Sequence, residues 1–155
     1  MKTLKLVCIM ALILGMATVA FAEDGKRTAH ITSLDGNASL KLAGQTNWSS
    51  AKVGDTLNEG DALKTDAGSK TLLTIGDKGQ VGIVEISEGS QLLLAEMMVN
   101  EKEGTSKTLL DLAMGDVLIH AQKVHGEQSK FEVKTPTSIV GVRGTTFRVK
   151  VEAVE

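Results

Sequence analysis

The sequence predicts an all-β domain, two stacked β units forming a sandwich- or solenoid-like roll, preceded by a helical signal peptide. Short runs of β-branched and alternating apolar residues recur roughly every ten positions between turn signals. Glycine is common and recurs beside aspartate, whereas aromatic residues make up only 3% of the chain. Two separate sequence markers also return at a common offset of 55 residues.

The amino end comes first. Lys2 and Lys5 form a basic start, Leu6 to Ala20 is an almost unbroken apolar run, and Ala20-Phe21-Ala22 places small residues where a signal peptidase reads. The run is shorter than the ~20 residues a bilayer-spanning helix needs. Residues 1–22 therefore read as a cleaved secretory leader, with the cut between Ala22 and Glu23; an uncleaved anchor is the alternative. Cys8, the sole cysteine, leaves with the leader, and Leu6 and Val7 before it do not fit a lipoprotein signal. The exported chain then has neither a disulfide nor a thiolate for catalysis. Residues 23–27 are a short linker, 28–151 the β domain and 152–155 a tail. That length suffices for one domain with a sizeable core.

Of 17 Lys and Arg, two leave with the leader, so 15 bases face 19 acids and the net charge becomes −4. A net acidic chain is a poor match for nucleic acid or an anionic membrane surface. No second apolar stretch approaches spanning length. The expected location is the periplasm or the medium.

Strands follow in order at Ala29–Leu34 and Ala38–Leu42, flanking Asp35-Gly36-Asn37, a hairpin signal because Asp-Gly tolerates positive φ. Further strands are expected at Lys70–Ile75, Gly79–Ile86, Ser90–Leu94, Thr108–Ala113, Val117–Ala121, Lys130–Lys134, Ser138–Val142 and Thr146–Val151. Gln91 to Asn100 holds helix-compatible residues, but the surrounding glycines and the Leu-Leu-Leu run favour a strand and then a turn at Asn100 to Ser106. Pro136, the single proline, cannot donate to a ladder and marks the end of the Phe131–Lys134 strand. Beyond it the inward phase passes from even positions at Val140 and Val142 to odd ones from Phe147. Such a change at Gly144 predicts a bulge or sharp corner. Arg143, on the entry side of that corner, is read as a clamp on freed carbonyls or on a carboxylate such as Asp61 or Asp116, with a ligand anchor as the alternative.

The repeat pairs Gly60-Asp61-Ala62-Leu63 with Gly115-Asp116-Val117-Leu118, and Gly89-Ser90-Gln91-Leu92 with Gly144-Thr145-Thr146-Phe147. Two units of which neither alone buries its apolar face would explain it. A shorter rhythm, Gly54-Asp55-Thr56-Leu57 and then Gly60-Asp61-Ala62-Leu63, reads as tight turns capped by aspartate, each with an inward leucine two places on. Calcium is the competing reading, but the carboxylates lack the dense alternation of a calcium loop.

With these residues in place, the order of signals resembles the FecR domain family. Trp48, Val53-Gly54-Asp55-Thr56-Leu57 and Glu59-Gly60-Asp61-Ala62-Leu63-Lys64-Thr65 are similar to its opening, and Gly76-Asp77-Lys78-Gly79 to its acidic-glycine turn. Phe131-Glu132-Val133-Lys134-Thr135-Pro136 and Val142-Arg143-Gly144-Thr145-Thr146-Phe147-Arg148-Val149 resemble its closing signature, the more specific part. The resemblance spans roughly residues 28 to 151. It implies signature residues Trp48, Gly54, Gly60, Asp61, Thr65, Thr135, Pro136, Arg143, Gly144, Thr145 and Phe147, structural or partner-contacting. FecR proteins pass a signal across the inner membrane through a cytoplasmic segment that handles a sigma factor and a periplasmic part that contacts an outer-membrane transporter. Only the periplasmic-type module is recognisable here, so the resemblance implies a stand-alone exported module.

An enzyme needs a nucleophile with a base, or metal ligands. His30, His120 and His125 are spread without ligand spacing, and no Gly-x-Ser-x-Gly elbow occurs. The reading is therefore non-catalytic, with no cofactor and no metal. The expected role is binding a protein or cell-envelope partner, for instance through an edge strand, possible without special residues. A structural protein that self-associates through the same edges, and carbohydrate binding at Trp48, are the alternatives.

Overall fold

The computed structural model describes residues 25–76, 81–100, 102–123 and 128–152. The leader with Cys8 and its cleavage point, most of the Gly76–Gly79 turn, and His125 lie outside the described residues. Those described are strands and turns without a helix. In chain order they are β1 (Gly25–Lys26), β2 (Ala29–Asp35), β3 (Ala38–Lys41), β4 (Ser49–Ser50), β5 (Thr56–Leu57), β6 (Ala62–Thr65) and β7 (Lys70–Ile75). There follow β8 (Gly82–Ile86), β9 (Gln91–Asn100), β10 (Thr105–Ala121), β11 (Lys130–Lys134), β12 (Ile139–Val142) and β13 (Thr146–Val151).

The strands form one curled sheet, a half-barrel whose two flanks enclose a common core. The first flank runs β4-β3-β6-β9-β10-β11-β12, with β1 added beside the end of β9. The second runs β5-β2-β7-β8-β10-β13. Gly25–Lys26, inside the stretch read from sequence as linker, thus pairs with Met98 and Val99.

β10 belongs to both flanks. Its first half pairs with β9 and β11, its second with β8 and β13. The sequence reading divides this strand in two, for a physical reason that the structure explains. Ser106, Thr108, Leu110 and Leu112 are buried at even positions, but Val117, Ile119 and Ala121 at odd ones. The register slips between Leu112 and Met114, and Gly115 takes φ 101°. An irregularity there reverses which side chains face inward without ending the strand. A Cβ on Gly115 would lie 2.2–2.5 Å from three atoms of Ser90, Cα among them, so only glycine fits.

Asp35-Gly36-Asn37 does not close the expected β2–β3 hairpin. β2 pairs with β5 and β7 on the second flank, β3 with β4 and β6 on the first, so the tripeptide turns a corner between flanks. The positive φ that Asp-Gly signals is present at Gly36 (81°), but turn chemistry alone does not name the strand that follows as a partner. Gln91 to Asn100 is a strand, longer than the core segment expected, and its buried phase moves from Leu92 and Leu94 to Met97. β1, β4, β5 and β6, with two to four residues each, are too short to show an alternating pattern and were not foreseen.

The offset of 55 marks a real architectural repeat. In the unit β6-β7-β8-β9 the first strand pairs antiparallel with the last, and the middle two with each other. The second half of β10 with β11, β12 and β13 repeats both pairings. Gly60 and Gly115 open the two units with φ of 89° and 101°, and Gly89 and Gly144 precede their last strands with φ of 64° and 63°. The first unit places its outer pair on the first flank and its inner pair on the second; the second unit does the reverse. The units therefore interlock, and each supplies strands to both sides of the core.

Candidate functional site

Most signature residues hold turns together. Gly54 and Gly60 take φ of 94° and 89°, and the aspartate after each accepts an N–H three residues back: Lys52 to Asp55 Oδ2 at 2.8 Å, Asn58 to Asp61 Oδ2 at 2.7 Å. Leu57 and Leu63 are fully buried. Asp61 is itself only 2% exposed, and its other oxygen accepts the Ala43 N–H at 2.7 Å, so one carboxylate ties two loops together. A Cβ on Gly60 would stand 2.9 Å from that of Ala43, which is how the signature glycine lets this loop approach.

Thr65 ends β6 fully buried. Its hydroxyl donates to the Ser87 carbonyl and accepts the Ser90 N–H at 3.0 Å, closing the turn into β9. Thr135 and Ser138 close the β11–β12 turn through Thr135 N–H to Ser138 O (2.8 Å) and Ser138 N–H to Thr135 Oγ1 (3.0 Å). Pro136 occupies the exposed tip, where no ladder N–H is needed. The corner expected at Gly144 carries the chain from β12 on the first flank to β13 on the second. The Thr145 carbonyl accepts the Ala121 N–H at 3.2 Å, and Phe147 packs partly buried on the core opposite Ile119.

Arg143 is exposed beside this corner, and neither proposed carboxylate serves it. Asp61 is occupied by two amides, and Asp116 by Arg148, whose Nε and Nη2 donate to its two oxygens at 2.7 and 2.6 Å. Those hydrogen bonds from Arg148 hold the Asp116 carboxyl below the usual range. The sequence reading missed the pairing of Arg148 with Asp116 because the two lie 32 residues apart and come near only through β10–β13 pairing.

On the outer face of the second flank, Thr146 Oγ1 lies 3.0 Å from His120 Nδ1, His120 Nε2 lies 3.3 Å from Glu85, and Glu85 pairs with Lys70 at 2.7 Å. Hydroxyl, imidazole and carboxylate in that order resemble a nucleophile relay. Among the described residues they lie on an open sheet face, away from the grooves along β9–β10 and β11–β12. Here the chain cross-links four strands. Hydrogen bonds from Lys70 and then His120 hold the Glu85 carboxyl below its ordinary value. Among the described residues no group of three or more potential metal ligands converges. Trp48 is 38% exposed, and Lys41 Nζ sits 5.3 Å from its ring centroid.

Among the described residues β12 pairs with β11 alone, and its Ile139 (64%) and Val140 (37%) are exposed. Counting outward from the Thr135–Ser138 bond, the hydrogen-bonded pairs are Val133–Val140 and Phe131–Val142. The N–H and C=O of Ile139 and Gly141 therefore point to the free edge. β13 also borders a flank, but Arg148 and Lys150 line it, as charges commonly protect an edge.

The described residues thus form an all-β module with clamped turns and an exposed β12 edge. A family model for the FecR protein matches residues 61–154, well over half of the chain. The chain belongs to the FecR family, which is associated with regulation of envelope signalling and is not known as an enzyme family. Trp48, Gly54 and Gly60 precede the matched stretch. Searches among curated proteins and among solved structures give no match. Among the described residues no helix is long and apolar enough to cross a membrane.

Proposed function

We propose that this FecR-family protein is a non-catalytic exported module that binds a protein or cell-envelope partner in envelope signalling or regulation. The open edge of β12 carries this reading. Its four outward backbone groups, on Ile139 and Gly141, can be satisfied by an added strand, and this recognition mode needs no dedicated side chains. Family membership supports the regulatory setting, and the leader read at residues 1–22 supports export.

A photo-crosslinking residue at Ile139, with Lys64 as an exposed control on an interior strand, tests this in the exporting cell. Adducts to a different protein from position 139 but not 64 are expected. Adducts only between copies of this chain would favour the self-assembling envelope protein instead, and no adduct at all would remove β12 as the contact. The exposed ring of Trp48 keeps carbohydrate binding as a second reading. Emission and quenching of this single tryptophan that do not respond to glycans would eliminate it.

A further inference from the structure

The third strands of the two units, β8 and β12, correspond residue by residue. Ile83-Val84-Glu85-Ile86 is echoed by Ile139-Val140-Gly141-Val142, and each strand pairs antiparallel with the one before it, β7 or β11. On its other side β8 meets the second half of β10, with Ile83 opposite His120, Val84 opposite Ile119, Glu85 opposite Leu118 and Ile86 opposite Val117. The bonds Ser87 N–H to Asp116 O (2.9 Å) and Gln122 N–H to Val81 O (3.0 Å) fix the phase of this ladder. Alternate pairs are bonded between antiparallel strands, so Ile83 and Glu85 are the residues whose N–H and C=O groups β10 satisfies. Their counterparts on β12 are Ile139 and Gly141, the two residues whose groups point to the free edge.

Burial follows the same comparison. Beside β10, Val84 and Ile86 are fully buried, whereas Val140, in the place of Val84, is 37% exposed. Ile83 is half-buried, and Ile139 in its place is exposed. Among the described residues β12 thus has the backbone phase and the inward apolar residues of β8 but no counterpart of β10. None of its own side chains is charged, so it lacks a common guard against an added strand. Where β8 carries Glu85, β12 carries Gly141, and a Cβ there would meet nothing within 4 Å, which leaves room for a large side chain opposite.

We propose that β12 accepts an extended segment of a partner protein as an antiparallel strand of the β10 kind, with apolar residues at alternate positions opposite Val140 and Val142. This rests on the edge-binding reading above and names the direction and side-chain pattern of the segment. The backbone groups of Ile139 and Gly141 supply the ladder, and the alternate apolar side chains extend the core over Val140. A second copy of this chain matches less well. Two β12 strands paired antiparallel about Val140 set Val140 against Val140 but Ser138 against Val142. Val142 then lacks the apolar neighbour that Ile86 has in Val117.

The probe is a peptide with the sequence of residues 113–122 of this chain, titrated into the purified exported protein. By the β8–β10 register its Leu118 and His120 should bond to Gly141 and Ile139. N-methylation of those two peptide residues should weaken binding at least about tenfold, and N-methylation of Val117 and Ile119 should change it by less than about twofold. The double change Val117→Ser and Ile119→Ser in the peptide should also weaken it about tenfold. In the protein, Gly141→Pro removes an outward N–H that the β11–β12 ladder does not use, and it should weaken the probe about tenfold. The N-methylated peptides leave the protein unaltered, so the test does not depend on that variant folding. Equal binding of the serine peptide, with sensitivity to N-methylation kept, would overturn the apolar pattern and leave the edge reading intact. No binding by any peptide, while a crosslinker at Ile139 still captures a different protein, would likewise overturn this proposal alone. No peptide binding, with adducts only between copies and oligomers that Gly141→Pro dissociates, would replace the partner with a second copy. No peptide binding and no adduct would overturn both this proposal and the edge reading.

Discussion

Asp61 and Asp116 occupy the same place in the two units, yet replacing them should have very different consequences. Asp61 is 2% exposed and accepts the N–H groups of Ala43 and Asn58, each at 2.7 Å. Asp61→Ala leaves the Ala43 and Asn58 N–H groups without their acceptor. Hydrogen bonds to a charged group contribute about 1.5–3 kcal/mol each, so the loss should be roughly 3–5 kcal/mol. For a domain of this size that corresponds to a fall in melting temperature of roughly 10–20 °C. Asp116 instead meets Arg148, whose side chain is 66% exposed, and an exposed pair contributes little because solvent screens it. Asp116→Ala should therefore cost at most a few degrees. Asp61→Asn should fall between, because its amide keeps one acceptor but sets an NH₂ against the other N–H. Urea and thermal unfolding of the three variants, followed by circular dichroism, measure this directly. Similar losses for both alanine variants, or a loss under about 1 kcal/mol for Asp61→Ala, would refute the clamp argument.

Three more outcomes are expected. Gly115→Ala should prevent stable folding, since it combines φ 101° with overlap onto Ser90 Cα, whereas Gly54→Ala, at φ 94° in open space, should cost only about 1–2 kcal/mol in urea unfolding. Glu85 and Asp116 have depressed carboxyl pKa values, so their contribution to stability is present above the ordinary carboxylate range of ~4 and lost as pH falls below it. A melting-temperature profile should stay level above about pH 5 and drop below about pH 4, with a shallower drop in the Glu85→Gln, Asp116→Asn double variant. Trp48 should be readily quenched by acrylamide, and Trp48→Ala should shift the melting temperature by no more than a few degrees, since the ring is only partly covered.

Much of the fold was legible in the residues because it depends on local rules. Positive-φ glycines followed by aspartate fixed turns at Gly54 and Gly60, and the leucines two places on faced the core, since side chains alternate along a strand. The 55-residue offset identified two equivalent units because each needs the same left-handed glycine before its first and last strands. Trp48 and Arg143 show where this ended. Both carried the family resemblance, but neither their exposure nor the preference of Asp116 for Arg148 has a local signal.

The sequence by itself determined the strand character, most turn positions and the repeat, all of which follow from backbone preferences and short-range alternation. Only the tertiary structure decided that the two units interlock across one curled sheet, that Asp35-Gly36-Asn37 leads to the opposite flank, and that β10 serves both. It also decided that β12 lies at the edge of the first flank, beside β11. Strand order and register are set by which apolar faces can be buried together, and that condition joins residues far apart in the chain.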